Sequence, residues 1–220
     1  MSLGAWKKKL ARYIRTYGLG KSVQRIMEIS WLKLFDKPDV IYYADLSSFQ
    51  MPISNLPKHV TIVERQSSEA MTEEEKAELD TQIGHQLIAP QLKERFDQGA
   101  SVWFIQVNEK TAGMVWTLVG QTIEPFYYFM TSGDVHFFNN VVFPGYRGKG
   151  LNPYLINSVL QEMKEKKLIR AYIETNLRNV REQRSLMKTG FIPLGIAKKK
   201  ARGDRQITSW QTAYQPPVEK

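Results

Sequence analysis

The chain has 220 residues, 42% of them hydrophobic and 11% aromatic, enough for one domain with a real core plus an extension. It has no cysteine, which excludes disulfides, thiolate nucleophiles and Cys-ligated zinc. The net charge of +9 sits at the ends: +6 over residues 1–40 and +4 over 198–220. The remaining stretch, 41–197, is close to −1, which argues against a nucleic-acid groove through the middle of the chain.

Residues 6–35 read as helical, broken at Gly18 and Gly20. Trp6, Leu10, Tyr13, Ile14 and Tyr17 share one face, with Lys7, Lys8, Arg12 and Arg15 off it. Such a helix packs on its own domain, or makes peripheral membrane contact with anionic lipid through residues 6–17. Asp36-Lys37-Pro38 ends the helical region, 40–46 is a short candidate strand, and 52–57 reads as a linker. The expected division is therefore 1–57, a helical/β extension, and 58–220, the main domain. No apolar run reaches the ~18–20 residues of a membrane span. The start lacks the charged-then-apolar order of a secretory signal, so a cytoplasmic protein is expected.

In the main domain, 60–64 reads as a strand. Residues 72–97 read as a long helical region, opened by Thr72 with Glu75 in a capping box and bent at Pro90. Residues 102–107 and 112–119 read as a hairpin about Asn108-Glu109-Lys110, and 126–130 and 135–143 as further strands. A helix over 155–167 presents Leu155, Ile156, Val159, Leu160 and Met163. Then come a strand at 171–175 and a helix at 180–188, capped by Asn179 with Glu182 and closed by Gly190. A last hairpin joins 192–197 to 206–214. This succession predicts a mixed α/β (α+β) domain.

The chemistry is concentrated in Phe143-Pro144-Gly145-Tyr146-Arg147-Gly148-Lys149-Gly150-Leu151-Asn152-Pro153, a strand-to-helix turn. Free N–H groups at the start of a helix attract anions, Gly148 and Gly150 let a ligand approach the backbone, and Arg147 and Lys149 add positive charge. A pyrophosphate cradle is the physical expectation. It is not a Walker A loop, because Leu151-Asn152 stand where Lys-Ser/Thr is needed. Nor is it a dinucleotide fingerprint, because Pro153 takes the place of the last glycine.

What Arg147-Gly148-Lys149-Gly150-Leu151-Asn152 does resemble is the acyl-CoA signature of the GNAT superfamily of N-acetyltransferases. Asn179 and the later Gly190-Phe191 resemble its following block. The resemblance covers about residues 58–214, most strongly 134–194. It implies a mostly antiparallel sheet flanked by helices, here with an N-terminal helical extension. It also implies an enzyme that moves an acetyl or similar acyl group from acetyl-CoA, a co-substrate, to a primary amine by direct attack. Backbone of Val141, Val142 and Phe143 should then meet the pantetheine arm, and Arg147, Gly148, Lys149, Gly150, Leu151 and Asn152 the pyrophosphate. Asn179 should touch the pantetheine or cap its helix. Two positions depart from the pattern: Asn152 replaces Gly or Ala, and Leu186 replaces the Tyr that acts as thiolate acid. Ser185, water or no specific group is left for that task.

Direct attack needs a base for the amine proton. Period-two alternation would place Asp134, His136 and Asn140 on one strand face. His136 is the candidate base, since imidazole titrates near neutral pH, and Glu174 and Asp134 are the other candidates. Trp103, Trp116 and residues 126–129 line an acceptor pocket or belong to the core. No His/Asp/Glu spacing suggests a metal. The acceptor is a small-molecule or peptide amine, with no nucleic acid expected and a homodimer left open. The alternative is a GNAT-fold module without catalysis that binds CoA or docks on membranes.

Overall fold

The computed structural model describes residues 38–52, 59–83, 92–123, 127, 129–199 and 207–211. Near one edge of its sheet, Asn108 and Glu109 hold φ of 49° and 65°. Two successive left-handed residues are what a tight hairpin turn requires, and they fold β3 (Ser101–Val107) back onto β4 (Lys110–Val119). β2 (Val60–Arg65) pairs with the far side of β3.

The capping box expected at Thr72 is present. Thr72 N donates to Glu75 Oε2 at 2.9 Å, and Glu75 N donates to Thr72 Oγ1 at 3.1 Å, opening α1 (Glu73–Ile83). Glu75, 1% exposed, also accepts Arg65 Nε and Nη2, both at 3.0 Å, so the cap ties the helix to β2. Residues 84–91, with Pro90, lie outside the described residues, and 92–97 are helical again.

The remaining elements are β5 (Asp134–Val142), α2 (Leu151–Glu165), β6 (Arg170–Asn176), α3 (Val180–Leu186), β7 (Ile192–Lys199) and β8 (Ile207–Gln211). Eight strands form one sheet in the order β2-β3-β4-β5-β6-β1-β7-β8, where β1 is Asp39–Asp45. All neighbours run antiparallel except β5 and β6. On one face Leu155, Ile156, Val159 and Leu160 of α2 pack with Val135, Phe137, Ala171 and Ile173. On the other, Leu79 and Leu92 pack over Val102, Phe104, Met114 and Trp116. Removing that apolar area from water stabilises the fold by roughly 1.5–3 kcal/mol per fully buried side chain. Both tryptophans in question are core: Trp116 is 1% exposed, and Trp103 Nε1 donates to Thr117 Oγ1 at 2.9 Å inside the other cluster. Among the described residues no helix is long and apolar enough to cross a membrane.

Three expectations are corrected. β1 was placed in an extension ending at residue 57, yet it lies inside the sheet, paired with β6 on one side and β7 on the other. Val40, Ile41 and Tyr42 are fully buried there, so residues 39–49 share the main core. The strand expected at 126–130 does not form: Tyr127, Phe129 and Met130 lie in a loop, Phe129 is 92% exposed, and 126 and 128 lie outside the described residues. α2 begins four residues earlier than its apolar periodicity suggested, directly after Gly150. The helices expected over 6–35 and the hairpin turn at 201–204 lie outside the described residues.

The segment after β1 closes onto Gly190. Phe49 is 6% exposed, Lys164 Nζ donates to Phe49 O at 2.6 Å, and a Cβ at Gly190 would collide with the Phe49 ring and meet Leu160 Cδ1 at 3.3 Å. Gly190→Val is therefore expected to cost about 1–3 kcal/mol through overpacking. At ~2–4 °C per kcal/mol for this size, thermal unfolding should show a clear drop in Tm. An unchanged Tm would mean that Phe49 is not seated there.

Candidate functional site

β5 and β6 keep parallel register for only four pairs, Asp134 with Arg170 through Phe137 with Ile173. Beyond them the strands part. Phe138, Val141 and Val142 stay with β4, while Glu174, Thr175 and Asn176 stay with β1. The opening is a cleft of about 290 Å³ lined by Phe138, Asn139, Asn140, Ile173–Asn176, Asn179 and Glu182.

A bulge shapes the β5 wall. Asn139 has φ 49°, and the pairing with β4 shifts register between Met114 and Trp116. Alternation therefore fails to keep Asp134, His136 and Asn140 on one face. Val141 packs against the α1-side cluster and Val142 against the α2-side cluster, so Asn140 falls on the α2 side. Its Oδ1 is a buried acceptor without a donor among the described residues.

The three catalytic candidates separate. Asp134 is fully buried and accepts four hydrogen bonds: Thr131 N at 2.7 Å, Thr131 Oγ1 at 2.8 Å, Arg170 Nε at 2.6 Å and Arg170 Nη2 at 3.0 Å. Burial pushes its pKa up, but the bonds from Thr131 and Arg170 outweigh that and hold it below the usual carboxylate value. It anchors the entry of β5 and does not line the cleft. A depressed folded pKa adds stability at pH above the unfolded value near 4, and that stability is lost as pH falls through the folded one. Asp134→Asn should cost roughly 1.5–3 kcal/mol at pH 7, the worth of a charged hydrogen bond. The difference from wild type should narrow in melts taken below about pH 4 and close once pH passes the lower folded value. A gap that persists unchanged there would contradict the ionic role.

His136 is 5% exposed and stacks on Phe138, with ring centroids 5.5 Å apart at 18°. Its Nε2 lies 2.8 Å from Glu174 Oε2. The group that meets the cleft is thus Glu174, whose side chain is 29% exposed, with the imidazole behind it. Nearby, Tyr127 Oη donates to Asp39 Oδ2 at 2.8 Å, and burial, then Asp39, push that phenol well above its ordinary value.

On the far wall stands Glu182, read from the sequence only as the partner of an N-cap. Asn179 does cap α3, its side chain accepting from Glu182 N, and Asn179 Nδ2 donates to Glu182 Oε2 at 2.6 Å. Thr175 Oγ1 donates to the same oxygen at 2.8 Å. Burial raises the Glu182 pKa, the Thr175 hydroxyl opposes, Glu174's charge raises it again, and the net shift is upward. Leu186 is fully buried in the α2-side core, so the seventh position after Asn179 offers the cleft nothing. Ser185 Oγ accepts from Asn152 Nδ2 at 2.8 Å, joining the start of α2 to the end of α3, and Asn152 Oδ1 is buried without a partner.

The turn at 143–150 leads from this cleft to α2. Gly148 and Gly150 hold φ of 78° and 71°, with open space where a Cβ would stand, so backbone conformation selects glycine at both. Among the described residues no hydrogen bond is donated by the N–H groups of residues 147–152. Arg147 Nε donates to Val142 O at 2.9 Å, and Lys149 Nζ lies 5.5 Å from the Tyr146 ring centroid. Phe143 N donates to Ala112 O at 2.8 Å, fixing the strand end. An exposed, positively charged turn with unpaired N–H groups at a helix start is a site for a doubly charged phosphate ester.

The acetyltransferase (GNAT) family model matches residues 64–191, more than half of the chain. Solved structures with the same fold include a GCN5-related N-acetyltransferase from Sphaerobacter thermophilus: TM-score 0.51, 14% identity, 79% of this chain and 53% of that one. Another is an acetyltransferase from the GNAT family of Colwellia psychrerythraea, with TM-score 0.51, 12% identity, and coverage of 76% and 58%. A GNAT-family protein from Novosphingobium aromaticivorans also aligns, at 15% identity and TM-score 0.48, over 73% of this chain and 61% of its own. The chain spans roughly half to three-fifths of the length of these three. No curated protein matches it significantly.

Proposed function

The chain belongs to the GNAT acetyltransferase family, and from that premise we propose that it transfers an acetyl or similar acyl group from acyl-CoA to a primary amine. The observation that carries this reading is the cleft where β5 and β6 part, together with the turn that follows β5, whose N–H groups at 147–152 are unpaired. The pyrophosphate lies on that turn, with Arg147 and Lys149 beside it. The pantetheine runs along the β5 edge at 138–142, where amide N–H donors satisfy Asn140 Oδ1, and the thioester reaches the parting of the strands.

The donor therefore arrives from the α2 side, and the amine from the α1 side, where Glu174 stands. As the C–N bond forms, the nitrogen becomes acidic and sheds a proton. The amine attacks in its neutral form, and Glu174 is placed to take the one proton it sheds. His136 holds the Glu174 carboxylate through Nε2 and is a positioning residue. It does not take the amine proton itself, as its sequence position had suggested. The acceptor is a small-molecule or peptide amine small enough to enter from that face.

Thiol release from acetyl-CoA, followed across a panel of amino sugars, amino acids, polyamines and lysine peptides, tests the reading. Amine-dependent release is the expected result. Acetyl-CoA binding without release on any amine would instead favour a non-catalytic CoA-binding module.

A further inference from the structure

Two carboxylates line the cleft from opposite faces of the sheet. Alternation along β6 sends Glu174 to the side of Tyr172 and Tyr127, and Thr175 to the side of Ala171 and Ile173, where α2 and α3 pack. Thr175 reaches Glu182 on that second side. Glu174 thus belongs to the face from which the amine arrives, and Glu182 to the face that receives the donor.

We propose that Glu182 is a catalytic acid of this enzyme, giving its proton to the thiolate that leaves acyl-CoA. The inference rests on the acyl-CoA reading of the cleft. The side-chain bonds from Thr175 and Asn179 converge on one oxygen, Oε2, at 2.8 and 2.6 Å, which fixes the carboxyl; the Asn140 side chain also bonds it and favours loss of the proton, yet the balance is toward a bound one. The neighbouring groups explain why it keeps one. Glu174 faces it from β6, with His136 of β5 behind, while Asn140, Asn179 and Thr175 are neutral. Arg178, Arg181 and Arg184, on the α3 side, are exposed to solvent. A partly buried carboxyl facing a second carboxylate holds its proton above the ordinary range, as the upward shift at Glu182 also indicates. The two other positions on α3 considered for this task are otherwise placed: Leu186 is in the core and Ser185 is bonded to Asn152.

The step balances. The amine nitrogen bonds to the carbonyl carbon and yields one proton to Glu174. The C–S bond breaks, sulfur keeps the electron pair, and Glu182 supplies the proton that makes the free thiol. Glu174 ends neutral and Glu182 ionised, and exchange with solvent restores both.

Glu182→Gln keeps an oxygen for Thr175 and Asn179, and it removes the unfavourable ionisation of a half-buried acid. Its Tm at pH 7 should therefore equal or exceed that of wild type. Acetyl-CoA should still bind the variant, as read by the thermal shift, while thiol release to hydroxylamine as a generic amine falls about 100-fold. With S-(4-nitrophenyl) thioacetate, whose thiol is a far better leaving group, the deficit should shrink below about tenfold, since less proton transfer is needed. The wild-type rate with acetyl-CoA should also decline as pH rises through the raised pKa of Glu182, a limb the variant lacks. Equal losses on both thioesters would reduce Glu182 to a structural cap, and an unchanged rate with acetyl-CoA would remove it from the mechanism. A wild-type protein that binds acetyl-CoA but releases no thiol to any amine would overturn the assignment as well. Failure of wild type to bind acetyl-CoA at all would instead strike the acyl-CoA reading itself.

Discussion

Gly148→Glu should abolish acetyl-CoA binding and leave the domain folded. Residue 148 holds φ 78°, and open space surrounds the place a Cβ would take. The fold is then charged only for left-handed backbone, roughly 1–2 kcal/mol. That corresponds to ~2–8 °C in Tm at this size. Binding suffers much more. The new carboxylate stands among unpaired N–H groups meant for a pyrophosphate and replaces attraction by repulsion. Losing two or three charge-assisted hydrogen bonds at ~1.5–3 kcal/mol each gives at least a 100-fold drop in affinity. Gly148→Asn is the control. It tolerates the same φ and carries no charge, so it should retain most of the binding. Titration calorimetry with acetyl-CoA separates the two variants. Equal affinity in Gly148→Glu and wild type would mean that the turn at 147–152 does not hold the phosphates.

Glu174→Gln should lower kcat by about 100- to 10,000-fold, the usual worth of a positioned base, with acetyl-CoA affinity unchanged. The amide can still accept from His136 Nε2, so the local geometry survives and only the proton acceptor is lost. Its loss should be as large with an activated thioester as with acetyl-CoA, because the missing step is at nitrogen. That is the opposite of the pattern expected for Glu182→Gln, and the pair of measurements tells the two carboxylates apart. A kcat for Glu174→Gln within about twofold of wild type would assign the amine proton to water or to another group.

What the sequence made legible was local. Thr72 with Glu75 announced a helix start, Asn108 with Glu109 a hairpin, and the glycines at 148 and 150 a turn into a helix, because each depends on neighbours within a few residues. The place of β1 was not legible. Val40-Ile41-Tyr42 read as a strand, but its partners lie more than 130 residues on, in β6 and β7, and nothing local encodes that distance. The aromatic run at 126–130 looked like a strand, yet Tyr127 is bonded to Asp39 and Phe129 faces solvent.

At the site, one left-handed residue, Asn139, was enough to defeat the period-two rule and send Asn140 to the α2 side. His136 looked like the base from its chemistry and its place in the strand, whereas Glu174, 2.8 Å from its Nε2, is the one of the two that lines the cleft. Glu182 was visible as a capping residue. Its second property, burial opposite another carboxylate, exists only once α3 is laid beside the parting strands. A signal was available in hindsight: an acid three residues after the capping Asn179, in the block that the family resemblance had already marked.

The central claim is that the parting of β5 and β6, with the turn at 147–152, receives acyl-CoA. Thermal unfolding with acetyl-CoA, with dephosphorylated CoA thioester and with longer acyl-CoAs tests it most directly. A ligand at about 100 times its Kd should stabilise by roughly 2.7 kcal/mol, which is a rise of ~5–11 °C at this size. That rise, present in wild type and absent in Gly148→Glu, is the result expected. No shift with any acyl-CoA would contradict the claim.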